Sequence, residues 1–453
     1  MDWQPRMPSE TPGPGGSQWR FSVKRSVIAA AVGAALFSCA SFAAPGFFDA
    51  GPNLTDGGAS GAWTSLYATR NPAGAEFAIA PDATFRMGIL SSIGVGMEVG
   101  PVDNFADEID DLIDQLDRDD ISLAEGNALV ERFNGILGPL SRDGYLKVQG
   151  GVQVPLFPIL YRSGLGVFTV DANLSAQARL GFLDSPLTYN PVAEEIETAS
   201  AAYIKAAQIN ELALGFSRAV WKPAAGQLIV GGKLRYLQAT LSKQVVALES
   251  VEDDQDVEDV LEDNYDVNEH DSSNVTLDVG AIFNGANYRV GLTLANLTEP
   301  DFEYGEIGAN CNAQSGSAQY NCYTAAFFRD RIALNETWTL ERLATLEGAL
   351  FFAGGAGVLS AAVDLNDVHD PVGDLNQNLN VALGYKTQTN WLPDVRLGYR
   401  KNLAGSELSA ASVGFTFFGA VHFDVACALE STEIDGSSYP RTLAFNLGFE
   451  MSY

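Results

Sequence analysis

Between Val167 and Leu180 every second residue is apolar. Phe168, Val170, Ala172, Leu174, Ala176, Ala178 and Leu180 make one face, and Thr169, Asp171, Asn173, Ser175, Gln177 and Arg179 the other. The same period recurs downstream. Val275, Leu277, Val279, Ala281 and Phe283 alternate with Asn274, Thr276, Asp278 and Gly280. Tyr288, Val290, Leu292 and Leu294 alternate with Asn287, Arg289, Gly291 and Thr293. Val395, Leu397 and Tyr399 oppose Arg396, Gly398 and Arg400, and Val421, Phe423, Val425, Cys427 and Leu429 oppose His422, Asp424, Ala426 and Glu430. A period of two predicts strands with one apolar and one polar face.

These segments run to about 10 to 13 residues, where strands of soluble proteins average about five or six. Small residues, Gly above all, are frequent on the polar face. The chain also ends on such a strand, Leu443, Phe445, Leu447, Phe449, Met451 and Tyr453 against Thr442, Ala444, Asn446, Gly448, Glu450 and Ser452. That ending resembles the carboxy-terminal assembly signal of bacterial outer-membrane barrels, carried here by Asn446, Gly448, Met451 and Tyr453. In hydrocarbon every backbone donor and acceptor must be paired internally, so such strands have to close. The expected fold is therefore all-β: a transmembrane antiparallel β-barrel of about 14 strands over 85–453, with a small helical insertion. Outer-membrane lipid and the barrel assembly machinery are the partners this fold implies.

No segment of the mature chain offers an apolar run long enough to span a bilayer as a helix. The nearest is Gly348–Val363, and its Gly354-Gly355 pair predicts a hairpin turn between two strands. At the amino terminus Arg20, Lys24 and Arg25 precede an apolar run from Val27 to Phe37 and then Ser41-Phe42-Ala43. This order is that of a secretory signal peptide, 1–43, with cleavage after Ala43. The stretch before Arg20 is longer than such an address needs, as a start codon set too early would make it. Leu36-Phe37-Ser38-Cys39 loosely resembles a lipoprotein box, against the simpler reading that Cys39 is discarded with the signal.

The chain has 57 acidic and 27 basic residues. That balance excludes nucleic acid as a partner, which needs clustered Lys and Arg. The acids are concentrated: nine lie between Asp103 and Asp120 with one Arg, and twelve between Glu249 and Asp271 with no Lys or Arg. The first insertion, 103–140, predicts a helical hairpin. Phe105, Ile109, Leu112, Ile113 and Leu116 have helix spacing, and Leu129, Phe133, Ile136 and Leu137 form a second stripe that Gly138-Pro139 ends. It reads as a packed rim element or, functionally, as a lid or docking device. The second insertion, 246–273, reads as a polar loop. Its Asp253, Asp254, Asp256, Glu258 and Asp259 lack EF-hand spacing. Asp364, Asn366, Asp367, Asp370 and Asp374 form another oxygen-rich turn, a weak Ca²⁺ candidate against the default of a solvated acidic turn. No metal or other cofactor is expected.

Cys311 and Cys322 flank ten residues of a Gly/Ser/Asn-rich loop, 305–325, and should form a disulfide in an oxidising compartment. Cys427 falls among strand apolars and reads as unpaired. No P-loop, Gly-x-Ser-x-Gly, His-Glu-x-x-His or Cys-x-x-Cys occurs. His422 and Asp424 share a polar face, but nothing supplies a second acid pair, so no catalytic residue is assigned and the protein is expected not to be an enzyme. Asp171, Arg179, Lys233, Arg235, Asp278, Arg289, Arg396, Arg400, His422 and Asp424 are expected to face the lumen. They either line a pore or pair as internal struts, and their mixed sign predicts no simple ion selectivity.

Several segments resemble known barrels. Tyr67-Ala68-Thr69-Arg70-Asn71-Pro72-Ala73-Gly74 resembles the fatty-acid transporter (FadL-type) superfamily. Three further segments resemble the conjugal-transfer TraF barrel family of Gram-negative bacteria: Phe105-Ala106-Asp107-Glu108-Ile109-Asp110-Asp111-Leu112, then Val290-Gly291-Leu292-Thr293-Leu294-Ala295-Asn296-Leu297 with Glu299-Pro300-Asp301-Phe302, and Leu392-Pro393-Asp394-Val395-Arg396-Leu397-Gly398-Tyr399-Arg400. The resemblance covers most of 60–453 and implies a cell outer-membrane barrel. By the superfamily pattern, residues 44–84 would be an amino-terminal plug, with Phe47, Phe48, Trp63, Leu66, Tyr67 and Phe77 as its apolar bulk. The expected function is passage or binding of small hydrophobic molecules. The alternative is an envelope interaction protein of a conjugal-transfer apparatus that docks a partner through its acidic helical insertion.

Overall fold

The computed structural model describes residues 49–452 apart from 60–63, 117, 119–120, 251–267, 388, 390 and 435. The signal sequence, Cys39, Phe47, Phe48, Trp63, the acids of 251–267 and Tyr453 lie outside the described residues. No helix among the described residues is long and apolar enough to cross a membrane.

The alternating segments form fifteen strands: β1 (Phe85–Val99), β2 (Tyr145–Gln153), β3 (Ile159–Arg162), β4 (Val167–Leu183), β5 (Ala201–Trp221), β6 (Gly226–Ala247), β7 (His270–Gly285), β8 (Tyr288–Ala295), β9 (Leu343–Phe352), β10 (Gly357–Asp364), β11 (Asn378–Tyr385), β12 (Asp394–Asn402), β13 (Ser409–Phe417), β14 (Val421–Ala428) and β15 (Thr442–Ser452). Except for β2 with β3, each pairs antiparallel with its neighbour in sequence. β2 and β3 share one position in the wall, since both pair with β1 on one side and β4 on the other. β15 pairs with β1, Met97 opposite Leu443 and Arg86 opposite Ser452, which closes a barrel of fourteen staves. Gly448 lies on this seam, where a Cβ would strike the Ser91 carbonyl. The Gly354-Gly355 turn sits between β9 and β10 as its sequence predicts.

Strand alternation places apolar side chains outwards around the whole ring. Ile93 and Val95, Leu212 and Leu214, Leu234 and Tyr236, Leu277, Leu292, Leu346, Leu359, Leu383, Leu397, Phe423 and Leu447 are all exposed. The ladder consumes the backbone hydrogen bonds, so the band presents only side chains to its surroundings.

The two ends differ. At one, the turns are 2 to 8 residues long, and β1 begins and β15 ends there. At the other, seven connections of 6 to 47 residues join the staves: 100–144, 184–200, 248–269, 296–342, 365–377, 403–408 and 429–441. Together they hold 41 of the 57 Asp and Glu but 7 of the 27 Lys and Arg.

One-turn helices α1 (Asn53–Asp56), α2 (Tyr67–Arg70) and α3 (Ala75–Ala78) precede β1. The longest two connections carry α4 (Phe105–Leu116), α5 (Leu123–Asp143) and α6 (Gly316–Phe327). Ser122 caps α5, its hydroxyl accepting from the Glu125 amide. Phe105, Ile109 and Leu112 of α4 pack on Phe133, Leu137 and Leu140 of α5, with Phe182, Leu187, Ile196 and Leu248 completing the cluster. Arg132 bridges back to Glu108 at 3.0 Å and Asp111 at 2.6 Å.

Two expectations need correction. The second helix does not end at Gly138-Pro139 but runs through Pro139 to Asp143. Leu140 is buried in the α4–α5 cluster and its carbonyl accepts from Gly144, so packing outweighs the amide that Pro lacks. The disulfide loop is also not irregular throughout, because it contains α6. Asn321, Cys322, Thr324 and Ala325 are the buried side of that helix.

Candidate functional site

The lumen is filled from the short-turn end by residues 49–59 and 64–80. Their side chains and backbone are tied to wall side chains from many staves. Thr55 Oγ1 donates to Asp424 Oδ1 at 2.6 Å. Thr64 Oγ1 and the Ser65 amide donate to the two oxygens of Glu450, at 2.5 and 3.0 Å. Tyr67 Oη and Asn71 Nδ2 donate to Glu347 Oε1, at 3.1 and 2.6 Å. From the wall, Lys233 Nζ reaches the Thr69 carbonyl at 2.7 Å, Arg86 the Ala78 carbonyl at 2.6 Å, and Arg162 the Glu76 side chain at 3.0 Å. Asp49 receives both Arg70 and Arg400.

The Asn71-Pro72-Ala73 turn explains two wall glycines. The Asn71 side chain accepts from the Ala73 amide at 3.0 Å and so caps the turn. A Cβ on Gly231 would lie 2.5 Å from Ala73 N, and one on Gly280 would meet Asn71 Oδ1. The wall is stripped of side chains where the turn presses on it.

The residues expected to face the lumen all sit on the inner surface, and the structure gathers most into pairs. Arg235 holds Glu211 at 2.7 Å and Asn296 at 2.6 Å, and Lys233 lies 3.4 Å from Asp278. Arg396 meets Asp424 at 2.9 Å and donates to Thr416 Oγ1 at 2.6 Å. Arg179 meets Asp374 at 2.9 Å, Arg400 donates to Asn380 at 2.7 Å, and Asp171 accepts from Gln153. Arg289 stacks over the Phe77 ring, 3.9 Å from its centroid. His422 and Asp424 do not contact each other as a dyad. His422 Nδ1 lies 2.9 Å from Thr416 Oγ1, while Asp424 is bound to Thr55 and Arg396.

Glu211, Glu347, Glu450, Lys147 and Asp49 belong to the same interior and were not singled out in the sequence. Strand parity identifies the first four once the strands are drawn, but for Asp49 nothing in the sequence does. The Asp364–Asp374 turn is not gathered around one point. Asp370 and Asp374 meet Lys147, Asp364 accepts from Thr345 at 2.8 Å, and Asn366 Nδ2 donates to the Arg342 carbonyl at 2.8 Å. Among the described residues no group of His, Cys, Asp and Glu has the geometry to hold a metal.

Between residues 49–71 and the long connections lies a cavity of about 260 Å³. Arg70, Asn71, Lys147, Asp278, Glu347 and Arg400 are among its wall residues, and Glu341, Asp370 and Ser406 reach it from the connections. Its lining mixes these polar groups with apolar surface, which is the larger share. At the long-connection end, Cys311 and Cys322 form the expected disulfide, while Cys427 is free.

A family model described as "F plasmid transfer operon, TraF, protein" matches residues 68–365. The chain belongs to this family. The TraF-family match spans the Asn71-Pro72-Ala73 turn, the helical insertion and the disulfide loop, the features that distinguish this lumen and its rim. No curated protein sequence matches the chain. Among solved structures, this TraF-family barrel is similar to the toluene transporter TodX of Pseudomonas putida, at 9% identity over 91% of this chain and 99% of that one, TM-score 0.42. It is also similar to a FadL homologue of Pseudomonas aeruginosa, at 10% identity over 91% and 98%, TM-score 0.37. The outer membrane phospholipase A of Escherichia coli follows at 11% identity over 81% and 98%, TM-score 0.24.

Proposed function

We propose that this chain is a non-enzymatic outer-membrane protein whose lumen is closed by residues 49–80 as a plug and whose acidic end docks a protein partner. The exposed apolar ring supports the membrane reading, since a continuous band of that extent has no place on a soluble surface. Exposed aromatic residues at the short-turn end, Trp221, Phe352, Tyr385, Trp391 and Phe418, suit an interfacial girdle. Barrels of this kind turn their short connections to the periplasm and their long ones outwards. On that rule β1 starts and β15 ends on the periplasmic side, and the helical insertion faces the exterior.

The observation that carries docking is the segregation of charge: most of the acids lie in the seven long connections, and among their described residues α4 and α5 pack into one buried cluster. The lumen behind them is polar, and its charges pair with one another or with the plug. Crosslinkers placed at Asp107 and Asp114 should capture one defined protein. Recovery of abundant envelope proteins alone would count against docking.

A second reading, passage of small hydrophobic molecules, is favoured by one observation. The stave shared by β2 and β3 is interrupted at 154–158, where Leu156 is exposed in the wall. Uptake of a fatty acid or an aromatic hydrocarbon into liposomes tests it. Rates equal to those of empty liposomes across such a panel would remove it.

A further inference from the structure

α6 carries three exposed aromatic side chains, Tyr320, Tyr323 and Phe327, at helical spacing on the side away from its buried residues. Phe327 is 62% exposed, the most open of the three. The platform beneath them is rigid. The Cys311–Cys322 bridge ties the helix to the loop before it, Gln319 Nε2 donates to the Cys311 carbonyl at 3.0 Å, and Tyr323 Oη donates to Asn312 at 2.6 Å. On the buried side, Asn321 accepts from the Ala247 amide at 2.9 Å and Ala325 packs with Val245 and Phe328.

The aromatic side chains have acidic neighbours. Tyr320 Oη donates to Glu249 Oε2 at 2.6 Å, and Glu249 also accepts from the Thr198 amide. Burial first, and then Glu249 and Glu197, push the Tyr320 hydroxyl up to about 12. An aromatic face with carboxylates at one edge is complementary to side chains that pair an aliphatic stem with a positive head. It repels phosphate-bearing partners such as nucleic acid.

We infer that the α6 aromatic face, with Glu249 at its edge, is the contact surface for a Lys/Arg-rich amphipathic segment of a partner protein. This rests on the docking reading above and names the surface and the chemistry of its partner. The disulfide-held helix presents its rings without an ordering cost on binding, so aromatic contacts supply affinity and the carboxylates supply selectivity.

The test uses the full chain in detergent micelles with two probes, a lysine–leucine amphipathic peptide and its glutamate–leucine counterpart, read by fluorescence anisotropy. The basic peptide should bind at least about tenfold tighter than the acidic one, and added salt should weaken it. Phe327→Ser with Tyr323→Ser should weaken the basic peptide by about tenfold or more, as loss of a central aromatic pair does. Phe327→Arg alone, a change at an exposed position that keeps the helix packing, should do the same by repulsion. Heat-modifiable migration confirms that each variant retains its barrel. Equal binding of the two peptides, or no binding of the basic one, overturns the inference. So does wild-type binding by the α6 variants together with loss in Asp107→Lys/Asp114→Lys, an outcome that leaves docking standing but moves it to α4. Failure of the docking reading itself is seen separately, in the crosslinking.

Discussion

Thr55 and Asp424, 369 residues apart in sequence, are joined by a 2.6 Å hydrogen bond in the interior, and Asp424 in turn neutralises Arg396. Asp424→Asn removes that neutralisation and leaves Arg396 buried beside a neutral amide. Breaking a buried pair in this way costs about 3 to 5 kcal/mol. The expected result is a lower urea midpoint and faster proteolysis between residues 49 and 80, and an unchanged midpoint would refute the strut role.

Gly231 gives way to the Asn71-Pro72-Ala73 turn. Gly231→Val should expel that turn while sparing the ladder, whose backbone bonds do not depend on the side chain. Cleavage within the inner segment should rise while heat-modifiable migration persists. If neither changes, the turn does not press on this wall in solution.

The Cys311–Cys322 bridge closes a short loop, worth about 3 kcal/mol by loop-closure entropy. Cys311→Ser with Cys322→Ser should loosen α6 alone. Hydrogen exchange across 305–330 should accelerate, with protection of the β strands unaltered.

Arg331 reaches the Asp184 carbonyl and carboxylate, both at 2.7 Å, and the Ser141 hydroxyl at 2.5 Å, so it clasps three connections. Burial pushes the Asp184 carboxyl up, but the bonds from Ser141 and Arg331 outweigh it and hold it below the usual value. Its contribution is therefore present above the unfolded value of about 3.9 and is lost as pH falls through the lower folded value. Exchange of α5 amides should speed up over that acid window in the wild type. In Arg331→Gln the step should disappear, and persistence of the step would assign it to another group.

The alternating stretches foretold the wall because a period of two has one physical meaning when repeated over so many segments. Val275 to Phe283 is wall in both readings, and the helix spacing of Ile109 and Leu112 foretold α4. The run from Gly316 to Phe327 did not show itself. Its Gly, Ser, Asn and Thr are poor helix formers, and the helix forms because Cys322 and Ala325 are held from outside the segment. The interior charges were visible by parity, as with Arg235 and Asp278, but their partners were not. Pairing of Arg400 with Asp49, or of Glu450 with Thr64, depends on how the inner segment threads, and no local pattern encodes that path.

Chain order and radial order coincide in this molecule. The first described residues are the innermost, β1 follows them directly, and β15 both closes the ring and brings Glu450 to Thr64 and Ser65. Synthesis thus delivers the contents before the container. The strand that seals the wall is also the one that grips what it encloses, so a closed cylinder with its filling left outside would lack the grip made at its own last stave.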